Sequence, residues 1–123
     1  MRVENVQSVN VLVVEDDAMI AELLAEVVVE LGHVVCAIEA TEAGAVAAAA
    51  RYKPDLMIVD VHLGRGSGLA AMETISRTGP VAHLFVSGNI AKVLAVRPSA
   101  VVLQKPYAEA ALVNAMERAL LAH

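Results

Sequence analysis

The run Val9-Asn10-Val11-Leu12-Val13-Val14, closed by Glu15-Asp16-Asp17, decides how this chain reads. It is short, β-branched and apolar at nearly every residue, and it stops abruptly at three acids. A strand with one wet face alternates apolar and polar residues. A strand that is apolar throughout has both faces covered, as in a parallel sheet sandwiched by helices. Residues 18–31 then change period. Met19, Ile20, Leu23, Leu24, Val27 and Val28 recur at helical spacing, with Asp17 suited to the N-cap and Gly32 to the stop.

The same alternation continues outward from that unit. Val34–Ile38 reads as a second strand, and residues 41–51 as an Ala-rich helix that Thr41 can cap. Pro54-Asp55 turns the chain into Leu56-Met57-Ile58-Val59, a third apolar strand ending at Asp60. The glycine-rich loop Gly64-Arg65-Gly66-Ser67-Gly68 precedes a helix from Leu69 to about Arg77. After Gly79-Pro80 come a fourth strand, Val81–Val86, and a fifth over residues 100–104, ending at Ser87 and Lys105 respectively. Tyr107–Leu121 is the last helix. Strands alternating with helices make βαβ units. The expected fold class is α/β: a doubly wound, five-stranded parallel sheet in the order 2-1-3-4-5 with helices on both faces. Only residues 87–99 separate the last two strands, and Pro98 shortens the usable helix, so the fourth helix is expected to be short or irregular.

Composition narrows the function. The 123 residues fit one domain, expected over 9–121 behind a flexible N-terminus at 1–8. Apolar residues make up 58%, with 23 Ala and 21 Val among them, so disorder is excluded. The single Cys36 excludes a disulfide framework and reads as a buried small hydrophobe. The four scattered histidines lack zinc-site spacing. A net charge of −5 and only three aromatic residues argue against direct nucleic-acid binding. No apolar run is long enough to span a membrane and the start lacks an export pattern, so a cytoplasmic location is expected.

In a doubly wound sheet, sites form at the carboxyl ends of the strands. Those ends carry Glu15 and Asp16, then Asp60, Ser87 and Lys105. Clustered carboxylates repel one another unless a proton or cation joins them, and Mg²⁺ favours such oxygen ligands. An aspartate oxygen can attack a phosphoryl group, while Lys105 pairs with its oxygens and Ser87 donates a hydrogen bond to the product. No P-loop or dinucleotide fingerprint competes with this reading, since neither Gly-Lys-Ser/Thr nor glycines after the first strand are present.

Val13-Val14-Glu15-Asp16-Asp17, Asp60 after its apolar strand, Ser87-Gly88 and Lys105-Pro106 together resemble the receiver domain of bacterial two-component response regulators, over about residues 9–121. Among these, the chain is similar to alphaproteobacterial single-domain receivers. The resemblance implies that Asp60 is phosphorylated, that Ser87 and Lys105 complete the catalytic set, and that Mg²⁺ is held by Glu15, Asp16, Asp60 and the backbone carbonyl of His62. Pro106 would follow a cis bond. The implied donor is a phosphohistidine on a sensor histidine kinase or phosphotransfer protein, docking by the first helix. The receiver would catalyse its own phosphorylation and slow dephosphorylation rather than act as a metabolic enzyme. A homodimer through the last helix or fifth strand is a further expected association.

The chain departs from the family at Val102, where many receivers carry an aromatic switch residue. That departure sustains an alternative, a degenerate receiver acting as a phosphorylation-independent binding module. A metabolic phosphatase is disfavoured because His62 stands where such enzymes place a second carboxylate. With nothing after His123, the sequence reads as a stand-alone receiver or as the receiver part of a longer regulator.

Overall fold

The computed structural model describes residues 7–122. Its five-stranded sheet comprises β1 (Asn10–Val14), β2 (Val34–Glu39), β3 (Leu56–Asp60), β6 (Ala82–Ser87) and β7 (Val102–Gln104). All neighbours are parallel and the order is β2-β1-β3-β6-β7, the arrangement expected from the sequence. A short antiparallel hairpin, β4 (His62–Leu63) with β5 (Gly66–Ser67), stands apart from this sheet. The helices are α1 (Ala18–Glu30), α2 (Glu42–Tyr52), α3 (Gly68–Ser76), α4 (Ile90–Val96) and α5 (Glu109–Leu121).

The central strands β1, β3 and β6 are apolar at most positions because both of their faces are covered. Val11, Val13, Ile58, Leu84 and Val86 join Leu24 and Val28 of α1 and Leu112 and Met116 of α5. Leu12, Val14, Met57, Val59 and Phe85 point the other way, toward Ala45 and Ala48 of α2, Met72 and Ile75 of α3 and Val93 of α4. The period-two geometry of a strand sends alternate residues to the two layers. Small side chains, Ala45, Ala48 and Ala49, form the buried face of α2.

Local chemistry sets the helix ends. Asp17 Oδ1 accepts from the amides of Met19 and Ile20, and Thr41 Oγ1 accepts from Gly44 N. Asn89 caps α4 through Lys92 N, and Arg97, just before Pro98, closes it. This helix has 7 residues, short as expected.

Some expectations need correction. The inward stripe of α1 is Ala21, Leu24 and Val28, whereas Met19 (73% exposed) and Leu23 (56%) face solvent. A helix lying on a sheet buries one narrow stripe, so an apolar pattern wider than that leaves residues outside. The last helix starts at Glu109 rather than Tyr107, and the fifth sheet strand is Val102–Gln104 rather than 100–104. Cys36 is half-buried on an edge strand, its Sγ 3.4 Å from the carbonyl of Val11. Of the expected flexible N-terminus, residues 1–6 lie outside the described residues, while Gln7 and Ser8 are exposed and in no element.

Candidate functional site

The site is built where strands end. Asp60 closes β3 and Ser87 closes β6, and the pairing of Asp60 with Val86 sets these two residues beside each other at the sheet edge. Glu15 and Asp16 follow β1, with Glu15 held by its amide to the carbonyl of Glu39 at 2.9 Å. Lys105 follows β7, its amide donating to the carbonyl of Ser87 at 2.9 Å. The Lys105-Pro106 bond is cis, as the resemblance implied.

Asp60 is only 4% exposed and both of its oxygens are engaged. Lys105 Nζ lies 2.6 Å from Oδ2, and the amide of His62 donates to Oδ1 at 2.8 Å. The Lys105 ammonium is also 3.8 Å from Glu15 Oε1. Glu15, again buried, accepts from Asp17 N at 3.0 Å. Carboxylate oxygens of Glu15, Asp16 and Asp60 lie within 4.8 Å of one another, with Asp16 exposed and the other two buried.

Electrostatics follows from this crowding. Burial, together with the neighbouring Asp60, pushes the Glu15 carboxyl up to about 7. Burial also acts to raise Asp60, but hydrogen bonds from protonated Glu15 and from Lys105 outweigh it and hold Asp60 below the ordinary range. Burial works against the Lys105 ammonium, yet its contact with Asp60 leaves it above its ordinary value. The pair therefore stands as an ion pair beside a carboxyl that takes up a proton near neutrality. A donor set made only of carboxylates suits a hard divalent cation, which relieves the same repulsion.

Ser87 is buried, and its Oγ accepts from Asn89 N at 2.9 Å. The hydroxyl proton has only a long 3.3 Å contact to the Asn89 carbonyl. A cavity of about 380 Å³ opens between Asp60, Glu15 and Lys105 on one side and Ile20, Leu24, Pro106 and Tyr107 on the other. Burial pushes the Tyr107 phenol up, so it stays neutral there.

Three features of the site escape sequence reasoning. The β4–β5 hairpin is one: two-residue strands are shorter than any periodic signal, and Gly64-Arg65 is not a strong turn pair. Glu42 is another, since its Oε1 accepts from Ser67 N at 2.6 Å across 25 positions of sequence. The third is Gln104, whose side chain donates to the carbonyls of Gly88 at 2.8 Å and Lys105 at 3.0 Å and fastens the loop after β6. The His62 side chain is exposed, and its backbone amide makes the contact with Asp60.

The sequence profile of the response regulator receiver domain matches residues 11–117. The chain belongs to the response regulator receiver domain family. This receiver superposes on the REC domain of the PhyR response regulator from Erythrobacter litoralis with a TM-score of 0.83, at 30% identity over 93% of this chain and 91% of that one. It matches the anti-anti-sigma factor PhyR of Bartonella quintana with a TM-score of 0.82 and 25% identity, over 96% of this chain and 49% of that one. It is 36% identical over 83 residues to protein-glutamate methylesterase/protein-glutamine glutaminase 4 of Geobacter metallireducens, covering 67% of this chain and 24% of that protein. The receiver thus spans about half of the Bartonella protein and a quarter of the Geobacter one. Its general role is phosphorylation-dependent, two-component signalling. Among the described residues no helix is long and apolar enough to cross a membrane.

Proposed function

We propose that this receiver accepts a phosphoryl group on Asp60 from a phosphohistidine of a sensor histidine kinase or phosphotransfer protein. The observation that carries the reading is the buried Asp60 carboxylate, kept ionised by Lys105 at 2.6 Å and oriented by the His62 amide at 2.8 Å. An Asp60 oxygen attacks phosphorus, the P–N bond to histidine breaks, and its electron pair stays on the imidazole nitrogen. With a proton on the other ring nitrogen of the phosphohistidine, the products are an acyl phosphate on Asp60 and a neutral histidine. Attack of water on the same phosphorus later returns the carboxylate and inorganic phosphate.

The oxygen cluster of Glu15, Asp16 and Asp60, with the His62 carbonyl, is the proposed Mg²⁺ site. Bound there, Mg²⁺ supplies positive charge against the phosphoryl oxygens. Lys105 remains beside Asp60 as a second cation. The Ser87 hydroxyl, whose proton is weakly held at 3.3 Å, turns to donate to a phosphoryl oxygen. The partner surface is the exposed side of α1 next to the cavity, where Met19, Ile20 and Leu23 stand in solvent.

The alternative reading, a phosphorylation-independent binding module, rests on Val102, which lacks the ring a rotamer switch needs and sits half-buried on β7 opposite Phe85. Incubation with a phosphorylated histidine kinase or phosphotransfer protein separates the two. Label moving to the wild type and not to Asp60→Asn supports the phosphoacceptor. A protein that stays unlabelled with every donor tried, yet binds the same partner as tightly as its Asp60→Asn variant, supports the binding module.

A further inference from the structure

The β4–β5 hairpin directly follows Asp60 and carries the only backbone amide bonded to that carboxylate among the described contacts, His62 N on Oδ1 at 2.8 Å. Its turn passes close to the acidic cluster: a Cβ on Gly64 would stand 3.6 Å from Asp16 Oδ2. Four residues in two-residue strands cannot hold themselves in place. An outside anchor is required, and the structure contains one.

Glu42 opens α2, on a different part of the sheet. Its half-buried carboxylate reaches the hairpin and accepts from Ser67 N at 2.6 Å. It also lies flat over Gly66: a Cβ there would meet Glu42 Oε1 at 2.8 Å and Cγ at 2.9 Å. Glycine at 66 is thus the space the Glu42 side chain occupies. Ser67 pairs with His62, and Gly66 with Leu63, so the anchored strand faces the strand that touches Asp60. Ser67 Oγ meanwhile caps α3 through Leu69 N and Ala70 N. A charge-assisted bond is among the stronger ones a protein makes.

We infer that Glu42 is a positioning residue for the phosphoacceptor site, holding the β4–β5 hairpin so that the His62 backbone orients Asp60 and joins the cation cluster. The inference rests on the phosphoacceptor reading of Asp60. Glu42 acts through Ser67 and His62 and touches no reacting atom. Its bond needs an acceptor oxygen rather than a charge, so glutamine can substitute in part.

The test compares Glu42→Ala, Glu42→Gln and Thr41→Ala with the wild type. Thr41→Ala removes the α2 cap and leaves the hairpin contact intact, so it matches the structural damage without the positioning loss. Three quantities are read: Mg²⁺ affinity by titration, hydrogen exchange of the Ser67 and His62 amides, and the rate of Asp60 phosphorylation by acetyl phosphate. Glu42→Ala is expected to weaken Mg²⁺ binding and to slow phosphorylation about tenfold, as misplacement of a reacting group does. It is also expected to speed exchange at Ser67 and His62, with Glu42→Gln recovering most of each effect and Thr41→Ala showing none. Glu42→Ala with wild-type Mg²⁺ affinity and amide protection overturns the inference, as does a Thr41→Ala protein with the same losses. A wild type that binds Mg²⁺ but takes no phosphoryl group counts against the phosphoacceptor reading instead, and the first two measurements still decide the role of Glu42.

Discussion

Gly68→Ala subjects the geometry around Asp60 to a steric test. Gly68 starts α3, and its amide donates to the carbonyl of Val61 at 2.8 Å. A Cβ built on it would stand 2.1 Å from the backbone oxygen of Asp60 and 2.6 Å from Val59 Cγ1. Nonbonded carbon and oxygen approach to roughly 3.3 Å, so the two segments must separate by about 1 Å. A side chain could turn aside, but the obstacle here is the backbone of a central strand. Overpacking of this kind costs about 1–3 kcal/mol, and a fixed obstacle belongs at the upper end. Replacing glycine by alanine recovers roughly 0.4–1 kcal/mol by restricting the unfolded chain. The net expectation is a loss of about 2 kcal/mol and a fall in Tm of about 8 °C. The chain has no Trp, so far-UV circular dichroism during thermal and urea unfolding is the suitable readout. Gly88→Ala is the control, because a Cβ there meets nothing within 4 Å; it should match or slightly exceed the wild type. A Gly68→Ala protein as stable as Gly88→Ala would refute the close approach on which this view of the site depends.

Three further outcomes follow from the site's charges. Glu15 is raised in the folded protein from 4.5 to about 7, so the folded state binds the extra proton and the metal-free protein loses stability as pH rises across that interval, by at most about 3 kcal/mol. Urea midpoints at pH 5 and 7.5 measure this, and Glu15→Gln should flatten the decline; an unchanged slope contradicts the assignment. Asp60 is lowered, so its contribution runs oppositely, present above its unfolded value and lost as pH falls. Mg²⁺ must displace the Glu15 proton, so its affinity should rise between pH 6 and 8 in the wild type and stay level in Glu15→Gln, measured by calorimetric titration. Lys105→Met removes the cation 2.6 Å from Asp60, and carbon-detected NMR should find the Asp60 carboxyl titrating at higher pH, with phosphorylation slowed about tenfold or more.

The fold was legible because two periods alternate along the chain without conflict. Strands apolar on both faces, such as Leu56–Val59, announce a sheet covered twice, and Asp17 and Thr41 mark helix starts that their hydrogen bonds bear out. Glu15, Asp16, Asp60, Ser87 and Lys105 were legible as strand-end polar residues because topology alone brings such ends together. The structure gathers the three carboxylates, and it sets Ser87 and Lys105 against the same edge. What stayed hidden depends on side-chain reach. Glu42 sits in the first turn of α2, and nothing in its sequence neighbours reveals that it bridges to Ser67. Gln104 and the two-residue strands of the hairpin leave no periodic trace. Met19 and Leu23 misled because apolar spacing cannot tell a core stripe from an exposed one.

Intact mass after incubation with acetyl phosphate, with and without Mg²⁺ and beside Asp60→Asn, tests the phosphoacceptor claim most directly. The wild type should gain the mass of one phosphoryl group, a gain lost when Mg²⁺ is withheld and lost in the variant. A folded, Mg²⁺-saturated wild type that gains no mass, or an Asp60→Asn protein that gains as much, would contradict it.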